Sequence, residues 1–134
     1  MSNLEKNGGN MLSVEERTMV RDLILLPYID TMVSKSMKEI QNSSNVLSRA
    51  YLLAGRYVQK RVVQDVYRLR QELKRRNVKV IEDTQDDFIT YNIIHFRGYQ
   101  ERFGMTRDVM RTEISLRLTS YTADLGSTLQ DNLI

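Results

Sequence analysis

The chain has 134 residues, 41% of them hydrophobic and 28% charged, a composition ordinary for one globular domain with its own core. It has no cysteine, which excludes disulfides, thiolate catalysis and cysteine-bound metals and suits a reducing, cytoplasmic setting. The net charge of +3 conceals a strong asymmetry: residues 44–79 hold ten basic and two acidic side chains, whereas residues 80–92 hold four acidic and none basic.

Residues 1–12 are polar, glycine-containing and without periodicity, and are expected to be disordered. They lack the apolar stretch of a signal peptide. The longest apolar run, Leu23 to Ile29, contains Pro27 and is far below the roughly 20 residues of a membrane span. No membrane association is expected.

Ser13-Val14-Glu15-Glu16 reads as a capping box. A helix should follow to about Asn42, with Val20, Leu23, Ile24, Met32, Val33, Met37 and Ile40 at helical spacing. Pro27 removes a hydrogen bond and clashes one turn back, so a kink or break near Leu25 is expected. Asn42-Ser43-Ser44-Asn45 is a turn cluster. A second helix should span about Val46 to Arg76, its apolar stripe being Leu47, Tyr51, Ala54, Val58, Val62, Val66, Leu69 and Leu73. Gly55 inside it marks either a close helix crossing or a break. The two helices are expected to pack as an antiparallel pair.

After Asn77 the pattern changes. Val78 to Ile81 and Phe88 to Phe96 are rich in β-branched and aromatic residues, which predicts a β-hairpin across 78–97 with an acidic turn at 82–87. Gly98 and Gly104 punctuate a loop. Thr106 caps a third helix, with Met110, Ile114, Leu118, Tyr121 and Leu125 as its stripe and Gly126 as its stop. The fold class is α+β, predominantly helical: two long helices, a hairpin and a C-terminal helix. One domain covers 13–126, and 127–134 form a short tail.

The strongest functional signal is a basic face on the second helix. Arg49, Arg56, Lys60, Tyr67, Arg70 and Lys74 fall in one line at helical spacing. Such a row can track a phosphate backbone, with Tyr67 stacking on bases. It can equally be a solvated face, neutralised by acidic neighbours such as 80–92. The helix-to-hairpin order also occurs in winged-helix proteins. There, however, the hairpin tip approaches phosphates, and Glu82, Asp83, Asp86 and Asp87 give this tip the wrong sign.

Those four carboxylates lack the spacing of a calcium loop, so no metal is expected. His95, the single histidine, has no evident catalytic partner and reads as a structural residue on a half-buried strand. No nucleophile motif, phosphate loop or dinucleotide fingerprint is present, so neither a catalytic residue nor a cofactor nor a small-molecule ligand is expected. The hairpin is apolar on both faces, and helices can cover only one. Ile89, Tyr91 and Ile93, with Leu129 and Leu133 of the tail, are therefore candidate interface residues, and a homodimer or protein partner is expected. The expected function is a non-enzymatic regulatory or adaptor role through protein–protein contacts. The alternative is nucleic-acid binding through the basic helix.

Overall fold

The computed structural model describes residues 11–133. Two helices, α1 (Val14–Gln41) and α2 (Ser48–Arg75), lead into strands β1 (Val78–Gln85), β2 (Ile89–Phe96) and β3 (Tyr99–Thr106), and a third helix, α3 (Arg107–Leu133), ends the chain. The fold is α+β and predominantly helical. The helices α1 and α2 are antiparallel: Ser34 accepts from Gln59 at 2.7 Å near one end, and Glu15 meets Arg76 at the other.

The capping box forms in full. Ser13 Oγ accepts from the Glu16 N–H at 3.0 Å, and Glu16 Oε1 accepts from the Ser13 N–H at 3.1 Å. The helix α1 then runs through Pro27 without interruption. The expected break is absent because packing outweighs the proline penalty. Leu25, Leu26 and Ile29 are all buried. Each contributes about 1.5–3 kcal/mol against roughly 3 kcal/mol for an interior proline. Burial on successive residues also shows that α1 is the central helix, covered on more than one side.

The helix α2 starts two residues later than expected, behind an Asn45 turn whose Oδ1 accepts from the Leu47 N–H at 2.7 Å. It is continuous through Gly55. A Cβ there would lie 2.7 Å from Met37 Sδ, so Gly55 marks a close helix crossing. Burial on α2 begins only at Val58, and on α1 it ends at Ile29. Leu47, Tyr51 and Met32, expected on the buried stripes, are exposed because the joined ends of α1 and α2 project past the core.

The expected hairpin is a three-stranded antiparallel sheet in the order β1-β2-β3. The strand β1 continues through the acidic residues to Gln85, with a register irregularity between Glu82 and Gln85. The residues read as a glycine loop form β3, paired with β2 along its length from Phe96↔Tyr99 to Ile89↔Thr106. Arg97 and Gly98 join these strands with φ of 50° and 86°, the two-residue turn that matches strand twist. The alternation of β2 buries Asn92, Ile94 and Phe96 against the helices.

Thr106 caps α3 as expected, its Oγ1 accepting from the Val109 N–H at 3.2 Å. Gly126 does not stop the helix, which takes in residues 127–133. An exposed glycine costs a helix only about 1 kcal/mol. Of the segment expected to be disordered, residues 1–10 lie outside the described residues. Leu12 belongs to the core at 4% exposure, a correction to that expectation.

Candidate functional site

Helical spacing sets Arg49, Arg56, Lys60, Tyr67, Arg70 and Lys74 on one face of α2, and all six are exposed. The cations of α2 divide into two groups. Those flanking the line are held by carboxylates. Arg61 reaches Asp124 of α3 at 3.2 Å, Arg68 reaches Asp65 at 3.5 Å, Arg75 pairs with Glu72, and Arg76 spans Glu72 at 2.9 Å and Glu15 of α1 at 3.3 Å. These contacts hold the Glu72 carboxyl down to about 2, chiefly through its hydrogen bonds from Arg75 and Arg76. Arg49, Arg56, Lys60, Arg70 and Lys74 have no ion-pair partner among the described residues.

The acidic residues of the sheet do not neutralise this line. Asp83 is paired to Arg102 of β3 at 3.0 Å. Asp86 is engaged by the turn, accepting from the Phe88 and Ile89 N–H groups at 2.7 and 2.8 Å, and these bonds hold its carboxyl below the usual range. Glu82 shares a cleft with Arg70 without pairing to it. Among the described residues, no group of histidines and carboxylates has the arrangement of a metal site.

Two features of the face are absent from the sequence reading. Leu53 and Val63 lie on it, within a sector of roughly 100° that also holds the cations. They are 57% and 64% exposed, and Tyr67 is 67% exposed. Their helical phase places them off the buried stripe, which is the signal that finds them. The second feature is a groove of about 880 Å³ where α2 ends against the edge of β1 and the β2–β3 turn. Arg70, Lys74 and Lys79 line it with His95 and with Arg97, which is itself paired to Glu16, and no carboxylate lines it. The groove extends the positive face around the end of the helix.

The expected interface residues fall on two elements, the strand β2 and the helix α3. Ile89, Tyr91 and Ile93 lie on the sheet face turned away from the helices, outside the buried core and the side chains packed on it. Leu129 is exposed on the last turns of α3. Leu133 ends that helix, and its side chain lies outside what is described. His95 shares the outer sheet face with its register partners Lys79 and Gln100.

No helix among the described residues is long and apolar enough to cross a membrane. Residues 11–126 match the family model described as YhjD protein, and the chain belongs to that family. No curated protein and no solved structure matches it.

Proposed function

We propose that this member of the YhjD protein family is a non-enzymatic regulatory or adaptor protein that self-associates and acts through protein–protein contacts. The helix α2 supplies the partner surface. The observation that carries this is the interleaving on one face of Leu53, Val63 and Tyr67, each more than half exposed, with five cations that lack ion-pair partners among the described residues. Cations alone suit any polyanion. Apolar side chains set among them gain only from a partner that also buries apolar surface, at about 25 cal/mol per Å². An acidic amphipathic segment of another protein offers both, with like-charged partners rejected at long range.

A second reading, nucleic-acid binding, is favoured by the straight row itself. Arg49 to Lys74 spans roughly 38 Å along a continuous helix, long enough to follow a phosphate backbone. Co-purification from native extract, with and without nuclease, separates the two. For a protein partner, both L53S/V63S and R56E/K60E/R70E/K74E lose it, and nuclease does not. For nucleic acid, only the charge reversal abolishes binding, nuclease removes the bound material, and affinity falls steeply with salt. Material retained by both variants would defeat both readings.

A further inference from the structure

Helices cover one face of the sheet. Residues directly opposite in an antiparallel pair share a face. The register therefore sets Lys79, His95 and Gln100 in one outer row, Ile81, Ile93 and Arg102 in the next, and Tyr91 with Gly104 in the third. Tyr91 lies against Gly104, where a Cβ would stand 2.8 Å from the ring. The Arg102 guanidinium sits 3.7 Å from the ring centroid and is fixed by Asp83 and by Thr84 at 2.9 Å. The middle of this face is thus Ile81, Ile93 and the Tyr91 ring, with the Asp83-paired Arg102 guanidinium laid over that ring and held in place. The two ends of the face differ in sign: Lys79 stands at one, and Asp86 and Asp87 form the turn at the other, with Arg107 near Asp86.

A surface with opposite charges at its two ends is complementary to itself after a half-turn about an axis through its middle. We infer that this outer face is the self-association surface, on which two copies stack sheet against sheet with β2 antiparallel to β2. Ile81 and Ile93 of both copies, with each Tyr91 ring under its Arg102, make the central layer, and Lys79 of each copy meets Asp87 of the other. The inference rests on the self-association in the functional reading above and names its surface. Three strands of eight residues offer roughly 400 Å² per copy. That is about half a standard interface, so the dimer is weak and concentration-dependent.

Sedimentation of the full chain from about 1 to about 500 µM tests this, with circular dichroism and thermal melting of every variant. The wild type is expected to pass from monomer to dimer, and Ile93→Glu to remain monomeric with an unchanged melt. Lys79→Glu and Asp87→Lys should each weaken the dimer about tenfold or more, and their combination should restore it with the signs exchanged. A dimer that survives Ile93→Glu overturns the surface and leaves self-association standing. A wild-type chain monomeric throughout the series overturns both. A marked fall in the melting temperature of Ile93→Glu shows that the face is covered within one chain, and also overturns the inference.

Discussion

Arg97 and Glu16, 81 residues apart in sequence, are joined by two hydrogen bonds, Nη2 to Oε1 at 3.1 Å and Nη1 to Oε2 at 3.2 Å. The same Arg97 side chain donates to the Arg76 and Met11 carbonyls at 3.1 and 3.0 Å. One residue of the β2–β3 turn thereby ties together the first turn of α1, the end of α2 and the residue preceding the core's Leu12. Burial disfavours the charged Glu16. The Arg97 hydrogen bonds, the Ser13 N–H and the positive charges of Arg97 and Arg76 outweigh it and hold the carboxyl below its usual range.

Arg97→Ala leaves that carboxylate buried without its main cation and should cost about 3 kcal/mol in denaturant unfolding. Arg97→Lys should recover only part, since an ammonium cannot make the paired bonds. Acidification has a defined sign. A depressed carboxyl stabilises the fold above its unfolded value of 4.5, and the contribution is lost as pH falls through the lower folded value. Glu72, Asp86 and Glu113 are held low as well, so Glu16→Gln should reduce the acid loss of stability without abolishing it. An acid limb identical in Glu16→Gln and wild type would refute this assignment.

At the helix crossing, a side chain on Gly55 meets Met37 first, at 2.7 Å from Sδ and 2.8 Å from Cγ, with Val33 behind it. Gly55→Leu should destabilise by about 1–3 kcal/mol through overpacking. Combining it with Met37→Ala should return much of that loss, because the removed thioether vacates the same space. A strictly additive double mutant would show that the two positions do not touch.

How far these elements are legible in the sequence depends on whether the deciding partner is local. The Ser13–Glu16 box and the Thr106 cap are local, and both form as read. Asn77 ends α2 with φ of 59°, consistent with its expected place at a helix terminus. The strand β3 is not legible in the sequence, because four of its residues, Gln100, Glu101, Arg102 and Gly104, are weak strand formers. Its pairing with β2 decides the matter, and Gly104 in it makes room for the Tyr91 ring. Arg97-Gly98 was the available clue, as a two-residue turn rather than a loop opening. The basic face was legible because helical spacing is local. Which of its cations are paired was not, because Glu15 and Asp124 reach Arg76 and Arg61 from other helices.

That division of the α2 cations makes a prediction about stability alone. Lys60→Glu and Arg70→Glu remove no ion pair, so each should shift unfolding free energy by no more than about 0.5 kcal/mol. Arg76→Glu breaks contacts to Glu72 and Glu15 and sets a third carboxylate beside them and beside buried Glu16. It should be clearly destabilising, and more so than either of those reversals. Equal effects at Lys60 and Arg76 in matched denaturant titrations would contradict the pairing.

Tyr121 makes the corresponding link from α3 to α2. Its hydroxyl donates to Asp65 Oδ2 at 2.6 Å, with the ring buried and the Arg61 guanidinium 5.3 Å from its centroid. Burial first, then the hydrogen bond to Asp65 and that carboxylate's charge, push the phenol well above its ordinary value of 10.0. The neutral phenol is therefore favoured by folding. Its stabilisation is complete below the unfolded value and is lost as pH rises from about 10 toward the higher folded one. Tyr121→Phe should cost about 1–3 kcal/mol at neutral pH, since Asp65 loses a donor beside a partly buried charge. It should also flatten the alkaline loss of stability. In a tyrosinate absorbance titration, Tyr121 should ionise only as the chain unfolds, and Tyr121→Phe should remove that late step. A titration that Tyr121→Phe leaves unchanged in its late, unfolding-linked part would show that Tyr121 is not held by Asp65.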